Sequence, residues 1–137
     1  MTRIDSKQVE IQAPIEECFQ FLMDLNNYEL LLPKDKISDW SSDEKKCSFK
    51  IQKTYKLSLL YSESTPSTNI LVKSAKGGPF SFDLNINIVD EGSSTKVQLV
   101  CDADINPFLK MMVQKPLNNL FDYMADRMTK VIGADVA

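Results

Sequence analysis

Alternation is clearest at residues 80–89. Phe80, Phe82, Leu84, Ile86 and Ile88 are apolar, and Ser81, Asp83, Asn85 and Asn87 between them are polar. Strand side chains point to opposite faces with a period of two, so this segment predicts a strand with one apolar and one wet face. The same period recurs at Val9 and Ile11, at Cys47, Phe49 and Ile51, and at Tyr55, Leu57, Leu59 and Tyr61. It returns at Ile70 and Val72, and again at Val97, Leu99, Cys101 and Ala103. The stretch KISDW at 36–40 is a further candidate strand. Polar or Gly/Pro-containing stretches at 41–46, 62–67, 75–79 and 90–94 read as turns, and Gly77 and Gly78 suit positive φ. Short strands joined by short turns predict an antiparallel meander, wet on one side and covered on the other.

Two segments follow the helical period instead. After the first strand, Pro14 suits a first helical position, Glu16 and Glu17 complement the helix dipole, and Ile15, Cys18, Phe19 and Leu22 share a face. A second short helix over NNYELLLPKD is expected to stop before Pro33. Near the end of the chain, Asn106 can cap and Pro107 can start a helix reaching about Ile132. Val113, Leu117, Leu120, Met124, Met128 and Val131 form its apolar stripe. Lys115, Asn118, Asn119, Asp122, Asp126 and Thr129 lie opposite. A long helix with one such stripe needs a broad apolar surface, and the alternating strands supply it. One domain over residues 1–137 accounts for the chain, with no repeat, low-complexity segment or linker.

Composition narrows the chemistry. Sixteen Lys and Arg against 19 Asp and Glu leave a net charge of −3, which speaks against nucleic acid as a main partner. No apolar run reaches the length of a membrane span, and MTRIDSKQVEI lacks the apolar region of a signal peptide, so a cytoplasmic location is expected. There is no histidine, which removes Ser-His-Asp, Cys-His and His-metal chemistry together. Cys18, Cys47 and Cys101 are too widely spaced for a zinc set and read as buried small side chains, so no metal or other cofactor is expected. Asp102 and Asp104 share a strand face, but it is the face opposite the apolar one. No residue is assigned a catalytic role.

The order of elements carries a resemblance. The stretches VEIQAPIEECFQFLMDLNNYELLLP and DADINPFLKMMVQKPLNNLFDYMADRM resemble the opening strand and helices and the terminal helix of the START-like, or SRPBCC, superfamily. This superfamily includes the birch-pollen-allergen-like proteins and the polyketide cyclase/dehydrase and lipid-transport group. The resemblance covers essentially the whole chain and implies an α+β helix-grip fold. In it a curved antiparallel sheet of about seven strands wraps a long C-terminal helix, with two short helices after the first strand. It also implies an apolar cavity between sheet and helix. The iron-dependent members need histidines and are set aside.

The apolar faces therefore have two readings, a packed core or a ligand cavity. If a cavity exists, its expected lining is Trp40, Phe49, Tyr55, Leu57, Phe82, Leu84 and Leu99 from the sheet, with Phe108, Met112, Pro116, Leu120 and Met124 from the helix. Aromatic and methionine side chains suit irregular apolar ligands, and tyrosine adds a polar tip. Pro116 should kink the helix and let the segment before it act as a lid. The leading expectation is binding or transport of a small hydrophobic or amphipathic molecule (a lipid, isoprenoid or polyketide-like compound). One alternative is a cyclase- or dehydratase-like enzyme, although no inward acid or base breaks the alternation. The other is a protein-interaction domain with a collapsed pocket, using Phe108, Met111 and Met112 against a partner or in transient membrane contact.

Overall fold

The computed structural model describes residues 2–132 except 52, 54, 67 and 77. The expected turn glycine Gly77, and the expected segment ends at Thr54 and Ser67, lie outside the described residues. The chain runs through β1 (Thr2–Asp5), β2 (Val9–Ile11), α1 (Ile15–Met23), a 3-10 helix (Leu25–Leu31), β3 (Ile37–Asp43), β4 (Lys46–Ile51), β5 (Tyr55–Thr65), β6 (Asn69–Ser74), β7 (Ser81–Asp90), β8 (Thr95–Asp104) and α2 (Pro107–Val131). All strand pairs are antiparallel, in the order β1-β8-β7-β6-β5-β4-β3, with β2 also on β8. This is the α+β arrangement of an open sheet holding a long C-terminal helix. Among the described residues, no helix is long and apolar enough to cross a membrane.

The alternation of β7 resolves as its sequence requires. Phe82, Leu84, Ile86 and Ile88 are buried, while Ser81, Asp83 and Asn87 are exposed. The facing residues Val97, Leu99, Cys101 and Ala103 of β8 are buried with them. Helix α1 packs on β7 through its Ile15, Cys18 and Leu22 face, and α2 covers another part of the sheet. Each such aliphatic or aromatic side chain contributes about 1.5–3 kcal/mol on full burial.

The expected opening strand at Val9 and Ile11 is β2, and a strand that was not expected, β1, precedes it. Asp5 pairs with Val100 and Val9 with Val97, so this edge carries one residue more than β8 over the same span, a bulge. Ser6 bridges the break: its N–H donates to Leu99 O (2.8 Å) and its hydroxyl accepts from Leu99 N–H (3.0 Å). The bulge then meets the outer face of α2. Lys7 N–H donates to Asp122 Oδ1 (2.8 Å), Lys7 Nζ pairs with Asp126 Oδ2 (2.7 Å), and Asn118 Nδ2 donates to Asp5 O (3.1 Å). Part of the helix face read as opposite the core is therefore a polar clamp on the sheet edge.

Other boundaries shift for local reasons. Pro14 caps α1 rather than starting it, because its ψ of 157° is extended; its carbonyl accepts from Glu17 and Cys18 N–H. The second helix is a 3-10 helix whose side chains finish α1: Tyr28 Oη donates to Leu22 O (2.8 Å) and Asn27 Nδ2 to Phe21 O (2.9 Å). These bonds occupy carbonyls that the end of α1 leaves without helical partners. β3 and β5 run into stretches expected as turns, ending at Asp43 and Thr65, because the neighbouring strands pair with them there. Asn106 caps α2 as expected, its Oδ1 accepting from Leu109 N–H (2.8 Å). Helix α2 continues through Pro116, whose missing N–H leaves the Met112 carbonyl without its usual intrahelical donor.

Candidate functional site

The interior between sheet and α2 is almost filled. Among the described residues, a void of about 10 Å³ lies there, lined by apolar side chains only. Of the residues expected to line a cavity, Phe49, Leu57, Phe82, Leu84, Leu120 and Met124 converge on it. Leu99 is fully buried in the surrounding core. Trp40 comes from the edge strand β3 and stacks on Phe49, with ring centroids 6.0 Å apart and planes at 18°. A void of this size is too small for a ligand, and with no polar partner it offers nothing to hold a water.

Open space lies to one side, in a cleft of about 640 Å³. Pro116, Asn119, Leu120 and Tyr123 form its helical wall, spaced so that they share one face of α2. Pro33 and residues 35–38 form the opposite wall. Pro33 ends the 3-10 helix there, and its carbonyl accepts from Lys36 N–H (2.9 Å) and Ile37 N–H (3.2 Å), turning the chain into β3. Ile37 pairs across to Ile51 at the end of β4, and both side chains reach the cleft. Lys53 follows in the β4–β5 turn with φ of 57°, the left-handed region that a lysine adopts uncommonly.

Pro116 and Leu120 are the two expected lining residues that border the cleft, and Leu120 also borders the void. Tyr55 pairs with Ile51 beside the cleft and is half-buried, its Oη 4.0 Å from Met112 Sδ. Phe108 and Met112 lie on the outer surface, 75% and 50% exposed, with Met111 at 86%. The sequence reading missed Lys36, Ile37, Lys53 and Asn119 as wall residues. One signal for Asn119 was available: it stands three residues after Pro116, on the same helical face. Residues 33–36 precede β3 and carry no periodicity that would have placed them, while Ile37 and Ser38 belong to the candidate strand at 36–40.

The groups whose burial shifts their protonation sit in the core rather than at the cleft. Burial pushes the Cys47 and Cys101 thiols up to about 12 and raises the buried Tyr28 phenol further. Cys18 is also raised, again chiefly by burial. All three cysteines are free and buried, which makes them poor nucleophiles. Among the described residues, no three Cys, Asp or Glu side chains come together as a metal set.

Comparison with known proteins agrees with this architecture. A START superfamily protein from Mycobacterium smegmatis superposes with a TM-score of 0.75 at 15% identity, covering 98% of this chain and 99% of that one. A protein from Thermus thermophilus gives 0.73 at 16%, covering 99% and 100%. Norcoclaurine synthase from Thalictrum, a point mutant in complex with a transition-state analogue, gives 0.71 at 16%, covering 99% and 96%. At such identities these likenesses speak for the fold alone. No curated protein matches the chain significantly. The family of CoxG, described as a carbon monoxide dehydrogenase subunit, matches residues 8–137, and with nearly its whole length inside that match the chain belongs to the CoxG family of START-like proteins.

Proposed function

We propose that this chain binds a small amphipathic molecule in the cleft between α2 and the β3–β4 end of the sheet. The observation that carries the reading is the cleft itself. Its volume of about 640 Å³ falls within the range of about 300–1,000 Å³ typical of small-molecule sites. Its wall is mixed: Pro33, Ile37, Ile51, Pro116 and Leu120 are apolar, and Ser38, Asn119 and the Tyr123 hydroxyl are polar. Apolar burial supplies affinity there, and the polar tips orient the ligand. START-like folds commonly hold hydrophobic ligands, and a side cleft beside a filled core is this chain's version of such a site.

The test is titration with Nile red, a neutral fluorescent amphiphile, against the natural chain and Asn119→Trp. Asn119 is exposed on the cleft wall, so tryptophan there fills the groove without entering the core. Saturable uptake weakened by at least about tenfold in the variant supports the reading. Absence of uptake, or uptake that the variant leaves untouched, rejects it.

A second reading has its own observation. Phe108, Met111 and Met112 place three large apolar side chains on the outer surface of α2, and exposed patches of this kind mark contacts with other molecules. The family's name denotes a subunit, which makes carbon monoxide dehydrogenase the partner of this reading. Co-sedimentation with that enzyme, lost in Met111→Glu, would support it, and retention in the variant would remove the patch from the account.

A further inference from the structure

The geometry points to an amphipathic anion as the ligand class of the cleft: an apolar body carrying one carboxylate, sulfate or phosphate head. This rests on the binding reading above. The apolar part of the wall, with Ile37, Ile51 and Leu120, offers nothing to a charged group. The charged part is confined to Lys36, Lys53 and Asp35, two cations against one carboxylate. A local excess of positive charge is a departure for a chain whose net charge is −3.

Among the described residues, ion pairing leaves both ammonium groups available. The ion pairs among the described residues are Arg3–Asp5, Lys7–Asp126, Lys50–Asp39 and Lys96–Glu91, and neither lysine of the cleft belongs to them. Both lysines are exposed, so their heads stay hydrated at the rim while a ligand's tail enters below. Lys53 adds an independent observation. Its φ of 57° is costly for a side-chain-bearing residue, and a turn alone would be served better by glycine or asparagine. A lysine held there at the mouth of a cleft has a physical reason to be present if its ammonium meets an anion.

Neutral and cationic heads lack a comparable partner. Asp35 is the single carboxylate on the wall among the described residues, and Lys36 follows it directly in the chain. A cation there would meet two like charges for one opposite. Hydrogen-bonding neutral heads can use Ser38, Asn119 or Tyr123, and so provide the reference against which the charge term is measured.

Decyl sulfate, decanol and decyltrimethylammonium share one tail and differ in head charge, and calorimetric titration below their micelle concentrations separates the terms. Decyl sulfate is expected to bind about three- to tenfold tighter than decanol, the scale of exposed charge pairs. That margin should shrink as salt rises from about 20 to about 500 mM, because the Debye length falls to a few Å. A Lys36→Gln/Lys53→Gln double variant should erase the margin of decyl sulfate over decanol. If decyl sulfate binds no better than decanol, or its margin survives the double variant, the anion assignment is overturned while the cleft remains a binding site. If Asn119→Trp fails to weaken any of the three, the binding reading itself falls, and the assignment with it.

Discussion

Leu120 divides two regions that one helix walls in opposite ways. On one side is the void of about 10 Å³, enclosed by apolar side chains of β4, β5, β7, β8 and α2. On the other is the cleft of about 640 Å³, bounded by a loop, a strand end and a turn. The difference lies in what faces the helix. Opposite the stripe of Leu117, Phe121 and Met124, the strands present paired alternating faces whose side chains interdigitate. Opposite Pro116, Asn119 and Tyr123 there is no strand face among the described residues, only residues 33–38 and the end of the β3–β4 pair. Regular elements supply side chains at fixed spacing and close on each other; a loop wall does not, and the space stays open.

The strongest way to break this contrast is to empty the sealed side. Phe49 is 2% exposed and lies under Trp40. Phe49→Ala is expected to cost about 3–5 kcal/mol in urea unfolding. Nile red affinity at the cleft should stay the same. A loss under about 1 kcal/mol would show that the core relaxes readily, contrary to a filled interior.

Pro116 belongs to the open side and should move stability the other way. Proline inside a helix costs about 3 kcal/mol relative to alanine, so Pro116→Ala should stabilise the fold by up to about that amount. The new N–H can donate to the Met112 carbonyl. Because proline is also part of the cleft wall, ligand affinity should fall as stability rises. Affinity rising together with stability would mean that the ring is no wall.

The sealed thiols give a pH-dependent check. Burial holds Cys47 and Cys101 protonated up to about 12, from an ordinary 9.0. The unfolded chain gives up these protons from about pH 9, while the folded chain keeps them. Their contribution to stability is therefore fully present below about pH 9 and declines as the pH rises toward 12. Denaturation midpoints across that range should fall, and should fall less in Cys101→Ala. Equal alkaline loss in the variant would assign the effect to other groups.

The smallest effect is expected at Met111, which is 86% exposed. Met111→Glu should change stability by no more than about 0.5 kcal/mol and leave cleft binding as it was. A larger destabilisation, read from the same urea curves, would show that the outer face of α2 is packed in solution.

How much was legible follows from the kind of signal each part carries. The strand β7 was readable because Phe82, Leu84, Ile86 and Ile88 alternate with four polar residues, and a strand has no other way to sort them. The cap and stripe of α2 were readable because Asn106, Pro107 and the helical spacing all act within a few turns. The START-like resemblance rested on α2 and on the strand and helices near the start of the chain. The bulge at Ser6 was not readable, since it depends on one surplus residue against β8, and β1 has a single buried side chain, Ile4, to show alternation. The polar clamp of Asp122 and Asn118 was equally hidden, because the same residues would suit a fully wet helix face.

By itself, then, the sequence determined most of the elements, their order and the apolar faces of the strongly periodic ones. Those properties follow from the local geometry of one backbone, where period and capping act between near neighbours. The tertiary structure alone decided that the faces meet with almost no space between them, and that the usable space lies beside them, between Pro33, residues 35–38, Ile51 and Lys53 on one side and Pro116, Asn119, Leu120 and Tyr123 on the other. Free volume is a small difference between the space that elements enclose and the side chains that fill it. The residues that set it are far apart in the chain, and no single segment records it.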